Sequence, residues 1–284
     1  MLIDGHTQVF FVLGHPVTQV RAPEVFNPLF QAHGVNAVLL PAEVAPERFE
    51  AFVRGALAAT NVPGLWLTIP HKTPAVALSQ HVDRLGRRAG AVNALRREPD
   101  GSLRGALFDG LGLSKSLDHF GLTPEGRRVL VLGLGGAGTA VATSLAERRL
   151  GELALWDRDL AHTQRITARL AEGAAAPVRA LATPDASGFD LVVHCTSLGL
   201  NRDDPLPFDV AALAPDAAVV DILMKPYATP LQQACEKRGI TVHPGFEMLT
   251  QQVPEYLRFF GFEAMADALA ADLTPVRQAL QRVA

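Results

Sequence analysis

Residues 128–138 read RVLVLGLGGAG, and this stretch decides the fold. The apolar run with two valines at 129 and 131 makes a buried strand. Gly133, Gly135 and Gly138 then satisfy G-x-G-x-x-G, and an alanine-rich helix is expected over 137–148. Strand, glycine turn and small-residue helix together suit a dinucleotide. Glycines let the backbone approach a pyrophosphate, and the helix N-terminus supplies unbonded N–H groups and a positive dipole end. Working outward, strands are expected at 152–157, 178–181, 189–196, 217–223 and 240–244, with a helix at 160–172. Strands separated by helical stretches imply a parallel sheet covered on both faces.

The N-terminal part alternates in the same way. Residues 8–14, 36–42 and 64–69 read as strands, and 24–33, 46–59 and 74–81 as helices. Pro28 lies inside the first helix and should kink or shorten it. Residues 91–97 and 103–108 read as a hairpin around Asp100–Gly101. A short helix is expected over 114–120, and from Gly245 onward the pattern is helical only. The expectation is an α/β chain of two α/β domains, the C-terminal one a Rossmann dinucleotide-binding fold, with a ligand cleft between them. Residues 1–112, completed by helices in 246–284, form the substrate half, and 113–245 the cofactor half.

Composition narrows the function classes. The chain has 284 residues, 48% hydrophobic and 19% charged, with a net charge of −3. That supports a buried core and lacks the basic surplus of a nucleic-acid binder. Arginine pairs such as Arg87–Arg88 and Arg148–Arg149 read as solvated surface. The two cysteines, Cys195 and Cys235, build no disulfide framework and fit a reducing cytoplasm. No metal-spaced Cys/His cluster, signal peptide or long apolar span is apparent. The expected partner is a small-molecule substrate rather than a nucleic acid or membrane, for a monomer or homodimer.

Cofactor choice rests on the end of the second strand of the dinucleotide motif. Asp157 follows Gly133 by 24 residues, where an acid holds a ribose 2′-hydroxyl and repels a 2′-phosphate. This favours NAD. Arg158 comes next and could receive that phosphate, which keeps NADP as the alternative. Two further residues carry acid–base potential. Lys72 ends the segment Thr68-Ile69-Pro70-His71-Lys72 at a strand terminus, and Asp109 ends the strand that leads to the domain junction. A lysine and an aspartate can relay an alcohol proton while hydride leaves. From the residues alone, Lys72 also fits a surface lysine, Asp109 a turn or cap, and His71 an ordinary strand-end histidine.

Several ordered segments over residues 11–260 resemble the shikimate/quinate dehydrogenase family. They are Gly14-x-Pro16 with Pro23 and Asn27; Gly64-x-x-x-Thr68-Ile69-Pro70-His71-Lys72; Gly90-Ala91-Val92-Asn93; Gly105 with Asp109-Gly110-x-Gly112; and Thr196-Ser197-x-Gly199, Thr229-Pro230-Leu231 and Met248-Leu249-x-x-Gln252. The resemblance implies Lys72 and Asp109 as the catalytic pair, with Thr68, Asn93 and Gln252 around the substrate. Gly133, Gly135, Gly136, Ala137, Gly138, Asp157, Arg158, Thr196, Ser197 and Gly245 are the expected cofactor residues, with no metal. The implied activity is NAD-linked oxidation of a secondary alcohol on a shikimate- or quinate-like cyclic hydroxy acid. Its alternatives are NADP-dependent 3-dehydroshikimate reduction and a non-catalytic NAD-binding sensor.

The chain also departs from that family. Its opening normally carries two serines that bind the substrate carboxylate, and here those positions are Val20 and Ala22. Losing two such bonds costs roughly 3–6 kcal/mol unless Gln19 or Arg21 compensates. Trp66, Leu107, Phe108 and Met224 replace polar or tyrosine positions. They are expected to make the pocket smaller, drier, or shaped for a less polar ring.

Overall fold

The computed structural model describes residues 3–281, which form two compact units. One runs through Phe108 and resumes at Thr250; the other spans Asp109–Leu249.

The first unit opens with β1 (Gln8–Gly14), α1 (Ala22–Ala32), β2 (Ala37–Glu43), α2 (Phe49–Ala58) and β3 (Gly64–Leu67). It continues through α3 (Pro74–Leu78), β4 (His81–Val82), α4 (Arg84–Ala89), β5 (Ala94–Arg97) and β6 (Leu103–Ala106). The sheet order is β2-β1-β3-β5-β6-β4. β1 pairs in parallel with β2 and β3, whereas β5 is antiparallel to both β3 and β6, so the sheet is mixed. The antiparallel pair is the expected hairpin, and Gly101 takes the left-handed conformation its turn needs (φ 83°).

Several expectations for this unit change. Pro28 does not end α1, which runs on to Ala32 because Val25, Phe26, Leu29 and Phe30 are all buried on one face. Each such burial contributes about 1.5–3 kcal/mol, which offsets the hydrogen bond a proline removes. The helix expected at 46–59 starts as a single 3₁₀ turn before α2. The one expected at 74–81 stops at Leu78, because Gln80 N–H donates to the Leu103 carbonyl (2.9 Å) and draws the chain into β4. α4 was not anticipated. Asp83 caps its start by accepting from Gly86 N–H (2.9 Å), and Gly90 ends it with φ 66°.

The second unit holds α5 (Asp109–His119), β7 (Arg128–Leu132), α6 (Gly136–Leu145), β8 (Glu152–Trp156), α7 (Leu160–Ala171) and β9 (Val178–Ala180). Then come β10 (Leu191–His194), β11 (Ala218–Asp221), α8 (Pro230–Lys237), β12 (Thr241–Pro244) and the start of α9 (Phe246–Phe259). α5 begins five residues before its expected start, with Asp109 in its first turn. The sheet order is β12-β11-β10-β7-β8-β9, and every pairing is parallel. This is a Rossmann sheet, and its order reverses between β7 and β10. Alternation sorts its core into two layers. Val129, Val131, Leu153, Leu155 and Val193 pack with Leu113, Leu117 and Val141. Leu130, Leu132, Val192 and Val219 pack on the other face with Phe189, Phe208 and Leu231.

The remaining residues of α9, with α10 (Glu263–Ala271) and α11 (Thr274–Gln281), complete the first unit. They bring Tyr256, Phe260 and Phe262 against Phe10, Phe26, Phe30 and Trp66. Among the described residues, no helix is long and apolar enough to cross a membrane.

Candidate functional site

In the second unit, β7 delivers the chain into the glycine turn. Gly133 has φ 89°, a left-handed conformation that side chains rarely adopt. A Cβ on Gly138 would stand 1.8 Å from the Gly133 carbonyl oxygen, so only glycine lets α6 pack this close to the strand. Gly135 faces open space, and Gly136 and Ala137 form the first turn of α6, with their N–H groups at its free end. The turn is braced from several sides. Thr139 Oγ1 donates to the Leu134 carbonyl (2.8 Å), His162 Nε2 donates to the same oxygen (2.9 Å), and Leu134 N–H donates to Asp157 Oδ2 (2.8 Å). An open glycine cradle at a helix N-terminus is what a pyrophosphate requires, so these residues fit a dinucleotide.

The far side of that cradle differs from the sequence expectation. Both oxygens of Asp157 are engaged, Oδ1 accepting Asp159 N–H (3.2 Å) in addition to the Leu134 contact at Oδ2. Asp159 is the residue that caps α7, through His162 N–H (2.9 Å). Arg158 is exposed and makes no ion pair among the described residues. Arg165 reaches His162 Nδ1 (3.5 Å). Arg158 and Arg165 thus place cationic donors where the sequence reading placed a repelling acid, while His162 spends its ring proton on the Leu134 carbonyl. His162 and Arg165 escaped that reading because only the packing of α7 against the glycine turn brings His162 to the Leu134 carbonyl.

At the end of β10, Thr196 packs beside the glycine turn: a Cβ on Gly133 would meet Thr196 N at 2.8 Å. Ser197 is exposed, and its carbonyl accepts Leu200 N–H (3.2 Å). Gly245 has a packing reason of its own, since a Cβ there would lie 2.2 Å from the Ile222 carbonyl oxygen. Asp109 is buried at the start of α5. Burial, and then the charges of Asp221 and Asp109, push the Cys195 thiol well up, which keeps this cysteine protonated and unreactive.

In the first unit, the carboxyl end of β3 gathers residues from four segments. Thr68 N–H donates to the Leu13 carbonyl (2.9 Å), and the chain turns through a cis peptide at Ile69–Pro70 to reach His71 and Lys72. Val92 N–H donates to the Lys72 carbonyl (2.9 Å), which sets Lys72 beside Asn93. Asn93 is fully buried. Its Oδ1 accepts Phe108 N–H (3.0 Å), and its Nδ2 donates to Gln252 Oε1 (3.4 Å). Tyr256, one turn beyond Gln252 on α9, donates its hydroxyl to the Asn93 carbonyl (3.3 Å). Asn93 therefore also fixes the backbone that leads directly into Asp109. His71 is a core residue: it stacks on Phe49 (4.4 Å), and its Nε2 donates to the Val44 carbonyl (2.7 Å). Burial holds its pKa below the ordinary value.

The substituted positions divide. Trp66 does not line a pocket: it is 2% exposed and stacked on Phe260 (4.1 Å) and Tyr256 (5.4 Å). Leu107 is buried, and Met224 lies exposed beyond β11. Phe108 is half-buried, edge-on to Tyr256 (5.0 Å). Both candidates for compensating Val20 and Ala22 already have partners. Arg21 pairs with Glu24 and reaches the Leu280 carbonyl (3.5 Å), while Gln19 Nε2 donates to the Pro16 carbonyl (2.8 Å).

Residues 12–95 match the family model described as Shikimate dehydrogenase substrate binding domain. A protein from Rubrobacter xylanophilus named Shikimate dehydrogenase (NADP(+)) is 39% identical over 90% of this chain and 91% of its own length. The chain belongs to the shikimate dehydrogenase family. These are NAD(P)-dependent oxidoreductases acting on CH–OH groups. A second family member of the same name, from Acidiphilium cryptum, is 37% identical over 96% of this chain and 99% of its own. Among solved family structures, the Thermus thermophilus shikimate 5-dehydrogenase in complex with NADP(H) and shikimate matches with a TM-score of 0.85 at 26% identity. The match covers 98% of this chain and 100% of that one.

Proposed function

We propose that this chain is an NADP-linked dehydrogenase that interconverts a secondary alcohol and a ketone on a shikimate-like hydroxylated ring. The observation that carries the cofactor choice is the pair of neighbours Asp157 and Arg158. Each oxygen of the aspartate already accepts a backbone N–H of its own unit, while the arginine is exposed and without an ion pair among the described residues. A charge-assisted contact from Arg158 to a 2′-phosphate is worth roughly 1.5–3 kcal/mol. The NADP(+) names of the relatives support the same choice, which revises the NAD preference drawn from Asp157 alone.

When bound, the nicotinamide supplies the hydride acceptor or donor. The remaining work belongs to the chain. Thr68, Asn93 and Gln252 orient the ring hydroxyls. Lys72 and Asp109 hold and pass the hydroxyl proton, so that as the C–H hydride departs the O–H proton stays with the protein and a C=O forms. The buried side chains around Asn93 keep water from the exchange.

Initial rates with shikimate and quinate, each with NADP and NAD, test this reading. The expected result is turnover of shikimate with NADP preferred. A preference for NAD would overturn the assignment of Arg158. A second reading concerns the substrate. Val20 and Ala22 offer no side-chain donor, and Arg21 and Gln19 are engaged elsewhere, which favours a ring alcohol without a carboxylate. Bound NADP with negligible turnover of both acids would select it.

A further inference from the structure

Beneath the loop that carries Thr196 lies a buried chain of polar groups that neither the glycine motif nor the proton relay uses. His194 and Asp221 end the adjacent strands β10 and β11, and both are completely buried. His194 Nδ1 lies 3.1 Å from Asp221 Oδ1, and His194 Nε2 lies 2.6 Å from Thr196 Oγ1. The donors around Asp221 determine which ring nitrogen carries the proton. Leu223 N–H donates to Oδ1 (3.2 Å), and Gln232 Nε2 donates to Oδ2 (3.4 Å). Thr229 Oγ1 accepts Gln232 N–H (3.2 Å), which leaves its own proton for Asp221 Oδ2. A carboxylate that collects donors on both oxygens is an acceptor at every contact, so the hydrogen between it and His194 sits on Nδ1. In the neutral ring Nε2 is then an acceptor, and the only proton available for the 2.6 Å contact is that of the Thr196 hydroxyl. Leu198 N–H donates to the same hydroxyl oxygen (3.1 Å).

We propose that His194 is a positioning residue that acts through Thr196: it takes up the threonine's only proton, so that Oγ1 can meet a bound cofactor only as an acceptor. Thr196 stands beside Gly133 on the β10 side of the strand-order reversal, opposite Asp157 and Arg158 on the β8 side. The two halves of a dinucleotide lie on either side of that reversal. Thr196 thereby takes a hydrogen-bond donor, an amide N–H or a sugar hydroxyl of the nicotinamide half, and disfavours a phosphate oxygen, which has no proton to give. The same network ties the loops after β10 and β11 to one buried carboxylate. The inference rests on reading the second unit as a dinucleotide site, but its first test does not.

That test is the tautomer of His194 in the ligand-free protein, read by nitrogen-15 correlation spectroscopy on histidine-labelled enzyme. The resonance is identified by its loss in His194→Asn. The ring is expected to be protonated on Nδ1 alone, and to stay so when NADP is added. A proton on Nε2 in either state overturns the proposal. The second test is a double-mutant cycle on NADP affinity with His194→Asn, which keeps a donor toward Asp221, and Thr196→Val. Each single change is expected to weaken NADP about five- to tenfold, and the pair no more than the worse single. Losses that multiply would show that His194 acts independently of Thr196 and would overturn the proposal alone. Absence of NADP binding to the wild-type protein would instead sink the dehydrogenase reading, while the tautomer would still report on His194.

Discussion

The glycine cradle and the carboxyl end of β3 are built in opposite ways. Gly133 to Gly138 are contiguous, and their bracing partners Thr139, Asp157 and His162 follow within 24 residues of Gly138. Thr68 and Lys72 share one segment while Asn93 and Gln252 come from two others, and the hydrogen bond from Asn93 to Gln252 spans 159 residues. A contiguous site is specified by local conformation, which a pattern of residues reveals. A dispersed site exists only once the sheet and the C-terminal helices have packed, so its residues look ordinary until they meet.

That contrast can be broken most forcefully at Lys72. Lys72→Ala is expected to lower kcat by about a thousandfold, within the range for proton-transfer groups, and to leave the NADP dissociation constant unchanged. Unchanged kcat, measured with saturating cofactor, would mean that the dispersed residues are scaffolding. Arg158→Ala should weaken NADP by roughly ten- to a hundredfold and NAD hardly at all. Equal losses for both cofactors in a binding titration would return the ribose contact to Asp157.

Gly138→Ala sharpens the local side of the comparison. Its methyl would be forced against the Gly133 carbonyl, at a cost of about 1–3 kcal/mol of stability together with weaker NADP binding. Denaturant unfolding and a binding titration read the two effects separately, and a stable variant with normal affinity would show that the turn can relax.

The smallest effect concerns His71. Burial lowers its pKa below 6.5, so the unfolded chain takes up the proton first as the solution is acidified. Its contribution to stability is complete above about pH 6.5 and is lost progressively below it. Urea unfolding at pH 7.5 and pH 5.5 should therefore show a larger drop in the wild type than in His71→Phe. Equal drops would assign the acid sensitivity to other groups, such as His243, whose pKa burial also lowers.

Much of the fold is legible in the sequence. The parallel sheet of the second unit followed from apolar runs at strand length separated by helical spacing, and the hairpin of the first unit from Asp100–Gly101. The misses share a cause. β4 and α4 are two and six residues long and carry too little periodicity to stand out. The persistence of α1 past Pro28 depends on burial of its apolar face, and the burial of Trp66 in an aromatic cluster depends on a distant helix that carries Tyr256 and Phe260. The preference for NAD rested on Asp157 alone: the position of a carboxylate in the sequence does not show that each of its oxygens already accepts a backbone N–H.

What the sequence by itself determined is whatever depends on neighbours along the chain: the strand–glycine–helix turn, the parallel architecture and the family motifs. Tertiary structure alone decided which polar groups are already satisfied. It joined Asp157 to the Leu134 N–H and Arg21 to the Leu280 carbonyl, left Arg158 exposed, and joined His194 to Asp221 and Thr196 across two strands. The physical reason is that a hydrogen-bonding group has a fixed number of protons and lone pairs. How many remain for a ligand depends on contacts formed only when distant segments pack together.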